Sequence, residues 1–242
     1  MSTISLWHVF FSEFLGTAVL LTIGTSLCAN NTLRTTKGFN AGWIGITFGW
    51  GFAVFTAAYI AFKSGAHLNP AVTLGFALHG SEFAPSIAVT WSNAAMYMSG
   101  QLLGAFVGSC IAYLVYLPHF DSVTRETSLG IFATTPAIRR PASNLFTEIA
   151  ATTVLVLWLL VSNYTESSLG PLAVAVVIVA IGMGLGGPTG YAINPARDLG
   201  PRIAHAVLPL RHKGSSDWGY AWIPVVGPLI GGVVGAFLAG AL

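Results

Sequence analysis

The chain has 242 residues, of which only 7% are charged, against roughly 25% in an ordinary soluble domain. Apolar residues make up 54%, the mean hydropathy is +0.74, and 10 Lys and Arg with 8 Asp and Glu cannot cover a water-facing surface of this size. A soluble fold is excluded in favour of the bilayer, and a net charge of +2 scattered along the chain gives no footprint for nucleic acid.

In chain order, the first apolar run covers residues 7–29. It carries Glu13 at its middle and is long enough to span, so it reads as a first helix and not as a cleavable leader. A second span follows at 41–62. The stretch 68–78, opening on Asn69-Pro70-Ala71, is too short to cross and reads as a half-helix entering the membrane. The third span is expected at 88–117, and 118–139 reads as a connecting loop. Spans at 144–162 and 169–187 come next, then a second short stretch at 194–207 opening on Asn194-Pro195-Ala196, and a last span at 218–242. Cys28 and Cys110 lie in apolar runs and read as small buried hydrophobes. Gly104 with Gly108, and Gly231 with Gly235, have the small-xxx-small spacing that lets helices approach closely. Asn30-Asn31-Thr32 and Asn163-Tyr164-Thr165 match the glycosylation pattern at a frequency chance supplies.

The two halves carry the same parts in the same order. Glu13 in FFSEFLGTAVLL corresponds to Glu148 in LFTEIAATTVLVL, and Asn69 in SGAHLNPAVT to Asn194 in TGYAINPARD. Repeats of about 1–117 and 140–242 each hold three spans, an odd number, so the second must enter the membrane inverted. The expectation is one all-α transmembrane channel domain, with six spanning helices and two re-entrant half-helices. Asn is a preferred helix cap, and Pro at the first helical position loses no hydrogen bond. Two half-helices meeting at such caps aim their positive ends at one point, a device described for aquaporins that raises the energy of any passing cation. Glu13 and Glu148 are expected to accept loop N–H groups and hold the half-helix entries in shape; a proton relay is the alternative. His67 reads as a pore-side or loop-bracing hydrogen bonder, because no second ligand at metal-binding spacing accompanies it.

The loops SGAHLNPAVT and GPTGYAINPARDLGPR resemble the two signature loops of the major intrinsic protein (aquaporin) family, and the resemblance covers essentially the whole chain. Asp198 after Asn-Pro-Ala-Arg resembles the aquaglyceroporin, or glycerol-facilitator, branch. The resemblance implies an outer constriction of four residues that includes Arg197, whose guanidinium would donate to hydroxyls and repel cations; an ion pair of Arg197 with Asp198 is the bland alternative. Counting back from Asn194 places Tyr191 and Gly182 at two further positions. Gly182 would leave the pore wide, and Tyr191 would offer an aromatic wall whose hydroxyl narrows the pore or adds a hydrogen bond. The fourth position falls on Trp50 if one residue is deleted from the following loop, or on Gly49 if none is.

The implied function is passive diffusion of glycerol and similar small neutral solutes, with some water. Water selectivity, or passage of urea, dihydroxyacetone or undissociated lactic acid, stays open. A coupled secondary transporter is the rival from another class, and no enzyme constellation occurs. No cofactor is implied. A homotetramer in the plasma membrane with both termini cytoplasmic is implied by resemblance alone. The charge bias argues the other way, because nine of the ten Lys and Arg residues would then lie outside and only Lys63 inside.

Overall fold

The structure, a computed structural model, describes residues 5–80, 82–162 and 168–242. The triplet Asn163-Tyr164-Thr165 lies outside the described residues. Apart from an isolated bridge between Ala84 and Ile87, the described residues form helices, turns and connections: α1 (Leu6–Thr32), α2 (Gly42–Ile60), α3 (Pro70–His79), α4 (Trp91–Val115), α5 (Arg125–Phe132), α6 (Pro141–Val161), α7 (Pro171–Leu185), α8 (Pro195–Val207) and α9 (Ile223–Ala239). Helices α1, α2, α4 and α6 have the length and apolar composition to cross a membrane.

Two expected spans are shorter as helices. α7 has 15 residues, because Gly186, Gly187 and Pro188 end it. α9 has 17, because 218–222 turns before Pro224 takes an early helical position. The expected loop 118–139 is also partly helical. A 3-10 segment, Leu117–Ser122, leads into α5, which opens on a reciprocal capping box between Thr124 and Thr127.

The helices pack as an inverted pair of bundles. α4 lies on α1 through Gly100, Gly104 and Gly108, and a Cβ at any of them would run into α1 backbone; at Gly100 it would stand 2.6 Å from the Phe10 carbonyl. α9 lies on α6 through Gly227, Gly231 and Gly235, where a Cβ would meet the Glu148 Cβ, the Ile149 carbonyl at 2.6 Å and the Val156 Cβ in turn. Helix axes brought this close gain backbone dispersion contacts, which replace the hydrophobic drive that lipid cannot supply. Large apolar side chains such as Phe11, Phe52, Tyr59, Trp91, Phe146 and Phe237 point outward, while Glu13, Gln101, Glu148, Arg202 and His205 are buried. This arrangement suits a molecule whose solvent is hydrocarbon.

Candidate functional site

α3 and α8 start inside the protein, each capped by its own asparagine. Asn69 Oδ1 accepts from Ala71 N at 2.9 Å, and Asn194 Oδ1 accepts from Ala196 N and Arg197 N at 3.0 and 3.1 Å. Pro70 and Pro195 occupy the first helical positions. The two side chains also cross-brace the halves. Asn69 Nδ2 donates to the Ile193 carbonyl at 2.7 Å, and Asn194 Nδ2 donates to the Leu68 carbonyl at 2.8 Å. Each amide nitrogen carries two hydrogens, so each keeps one for the interior.

The loops feeding these caps turn through left-handed backbone at Gly65, Ala66 and Leu68 (φ 79°, 54° and 56°) and again at Gly190, Tyr191 and Ile193 (φ 84°, 38° and 43°). Non-glycine residues in this region cost about 1–3 kcal/mol each and persist where surrounding bonds overdetermine them. Here the glutamates supply those bonds. Glu13 accepts from Ser64 Oγ (2.6 Å), His67 N (3.0 Å), Leu68 N (2.7 Å) and Gln101 Nε2 (2.7 Å). Glu148 accepts from Thr189 Oγ1 (2.6 Å), Ala192 N (3.0 Å) and Ile193 N (2.9 Å). His67 donates through Nε2 to the Phe83 carbonyl at 3.0 Å, which leaves Nδ1 to accept from Thr73 Oγ1 at 3.1 Å. No group of three metal-ligating side chains occurs among the described residues.

Two cavities meet within the helices. One, of about 310 Å³, has an apolar wall that includes Val54, Leu155, Val174 and Ile178, and faces the loop residues Gly65–Leu68 and Tyr191–Ile193 together with Asn69 and Asn194. The other, of about 280 Å³, is lined by Asn31, Thr32, Trp43, Thr134 and Thr135 among others. Trp50, Tyr191 and Arg197 line both. The Arg197 guanidinium carbon lies 4.0 Å from the centre of the Trp50 ring, within cation–π range, and Arg197 Nη1 donates to the Phe132 carbonyl at 3.2 Å. Gly49, the competing position, faces the Leu27 side chain of α1 instead. The Trp50 ring packs against Gly24, where any side chain would displace it.

Gly182 differs from expectation. It lines neither cavity, and a Cβ there would stand 2.7 Å from Tyr191 Cζ, so the room it leaves is filled by the Tyr191 phenol and not by open pore. The phenol packs edge-on against Trp43, whose Nε1 donates to the Gly182 carbonyl at 3.0 Å. The Tyr191 hydroxyl is buried beside Gly182, with no hydrogen-bond partner among the described residues, and so does not narrow the passage.

Asp198 also has a different partner from the one considered. Arg202 Nε donates to Asp198 Oδ1 at 2.8 Å, and Thr134 N and Oγ1 donate to Oδ2 at 2.8 and 2.6 Å. Arg202 continues to the carbonyls of Thr134 (2.9 Å) and Ser216 (2.8 Å). Among the described residues, Arg197 is thereby left without a carboxylate partner. Sequence reasoning missed Arg202, Thr134, His205, Gln101, Gly24 and the Phe132 carbonyl. A signal was present for two of them: Asp198, Arg202 and His205 follow one another at i, i+4 and i+7, a single polar stripe on a short helix. A main-chain carbonyl has no such signature.

A family model described as Major intrinsic protein matches residues 1–239. The chain is 48% identical over 234 residues to a probable glycerol uptake facilitator protein of Thermotoga maritima, covering 95% of this chain and 97% of that one. It is 47% identical over 230 residues to a glycerol uptake facilitator protein of Bacillus subtilis (93% and 81% covered), and 36% identical over 236 residues to a D/L-lactic acid transporter of Lactiplantibacillus plantarum (95% of each). The X-ray structure of the aquaglyceroporin from Plasmodium falciparum superposes with a TM-score of 0.81 at 30% identity, covering 98% of this chain and 97% of that one. With the two capped half-helices, the paired glutamates and a match of this extent, the chain belongs to the major intrinsic protein family.

Proposed function

We propose that residues 1–242 form one channel unit that passes glycerol and similar small neutral solutes, with some water, by passive diffusion. The observation that carries this reading is the meeting of two cavities at Trp50, Tyr191 and Arg197. Glycerol has a hydroxylated edge and a hydrocarbon edge. A hydroxyl stripped of water without replacement costs about 1–3 kcal/mol, so a passable constriction must restore donors and acceptors on one side only. Arg197 supplies donors there, and the rings of Trp50 and Tyr191 suit the carbon edge. Beyond it, the cavity is lined by the loop residues Gly65–Leu68 and Tyr191–Ile193 together with the apolar Val54, Leu155, Val174 and Ile178, so polar backbone and hydrocarbon are both within reach of the solute. The remaining N–H groups of Asn69 and Asn194 receive the hydroxyls at the centre. The positive ends of α3 and α8, with Arg197, oppose cations. The names of the bacterial relatives support the solute.

The unit belongs in a plasma membrane as a homotetramer with both termini cytoplasmic. The excess of basic residues on the opposite face is weaker evidence against this orientation than it looks. Arg197 and Arg202 are buried, Lys213 Nζ donates to the carbonyls of Ala206 and Leu208 at 2.7 and 2.8 Å, Arg139 pairs with Asp217, and Arg211 pairs with Asp121 at 3.3 Å. Three of the nine, Arg197, Arg202 and Lys213, are thus held by the fold, while Arg139 and Arg211 stay exposed at its surface. Stopped-flow light scattering on proteoliposomes tests the function. Glycerol equilibration well above that of empty liposomes is expected, and rapid water flux with glycerol at background would overturn it.

A further inference from the structure

Arg197 is anchored by less than its role demands. Among the described residues its guanidinium makes one hydrogen bond, Nη1 to the Phe132 carbonyl, and otherwise rests on Trp50. With five N–H donors, this leaves most of the fork for solute, but its position then depends on where α5 ends. Phe132 is the last residue of α5, a helix of 8 residues that would not hold its place by intrinsic propensity.

His205 ties that helix down. It is fully buried on α8, with Nε2 at 3.0 Å from Ser128 Oγ in α5 and Nδ1 at 2.9 Å from Ser216 Oγ in the loop before α9. A neutral imidazole donates from one nitrogen and accepts at the other, so it satisfies one hydroxyl of each kind. Its ring also packs on the Phe132 ring, centroids 5.6 Å apart, and Phe132 stacks on Phe120 at 6.0 Å. His205 and Arg197 are eight residues apart on α8, and residues 128–132 form a closed bridge from one to the other.

We propose that His205, which lines neither cavity, is a positioning residue for the constriction: through Ser128 and Phe132 it fixes the carbonyl that aims the Arg197 guanidinium. The proposal rests on the constriction reading above. Thr134, bonded to Asp198, holds the chain just past α5, so without the tie Phe132 is held from that side alone. Its carbonyl then turns off the guanidinium, which swings into the passage, and a polyol is hindered more than water.

The test compares glycerol and water flux in the same proteoliposome preparations for wild type, His205→Phe, Ser128→Ala and Arg197→Ala. His205→Phe keeps the ring and removes both hydrogen bonds; Ser128→Ala removes one hydroxyl and is the deciding variant if His205→Phe does not insert. A purely structural role would lower both fluxes together by reducing the number of folded channels. A positioning role lowers the glycerol-to-water ratio, by about threefold or more, the scale of one lost neutral hydrogen bond. If Arg197→Ala moves the ratio and the other two variants do not, the positioning role is overturned and the constriction stands. If Arg197→Ala leaves the ratio unchanged, the constriction reading fails and the proposal fails with it.

Discussion

At residue scale, the clearest lesson is that a small residue and a large one can share a single space. Gly182 and Tyr191 are nine apart in the chain and form one unit, with the phenol lying where a side chain at 182 would go. Gly182→His is therefore expected to push Tyr191 into the passage and cut glycerol flux several-fold more than water flux; parallel changes in both fluxes would count against the assignment. The Asp198–Arg202 pair makes a second case. Both side chains are fully buried, and leaving one buried charge unpaired costs about 3–5 kcal/mol. Asp198→Asn should thus lower the temperature at which the detergent-solubilised channel aggregates, while Asp198→Asn combined with Arg202→Met recovers part of the loss. A single variant as stable as wild type would show that the pair is not what holds α8 to the segment around Thr134. Asn69 and Asn194 were legible from sequence because a cap acts on residues two and three along the same chain. The partner of Asp198 was legible only as a spacing, since choosing Arg202 over Arg197 requires knowing which side of α8 faces Thr134.

At the scale of elements, close approach of α4 to α1 depends on the absence of side chains. Gly104→Val would place a branched side chain against the Phe14 and Ala18 backbone of α1, and little or no folded channel is expected on size-exclusion chromatography. Gly184→Ala on α7 meets nothing within 4 Å and serves as the tolerated counterpart. Normal yield from Gly104→Val would mean that the pair can separate at little cost. The helices themselves were largely legible, because apolar length reports a span directly. Their ends were not. α7 stops at Leu185 where the expected span ran to 187, and α9 starts only at Ile223, after the 218–222 turns, where the expected span began at 218. The helix α5 was hidden because 8 residues of mixed polarity carry no periodic signal, and only the Thr124–Thr127 capping box marked its start.

For the whole molecule, the two halves meet at bonds that cross between them: Asn69 to Ile193 and Asn194 to Leu68. A centre clamped in this way suits a standing pore and not alternating access, in which the halves must rock apart. Imposing a proton or sodium gradient across the proteoliposomes should leave net glycerol flux proportional to the glycerol gradient alone; uphill accumulation would identify a coupled transporter. What the sequence determined by itself was whatever acts locally or by composition: residence in the bilayer, the inverted repeat, the two capped half-helices and the glutamates placed to serve them. What only the tertiary structure decided was every feature made by residues distant in the chain: Trp50 beneath Arg197, Tyr191 seated on Gly182, the Phe132 carbonyl on the guanidinium and His205 behind it. The physical reason is that caps and hydrophobic length are written within a few turns of one helix. The width and chemistry of a passage are set instead by which faces of separate helices are brought together, and no local pattern records that.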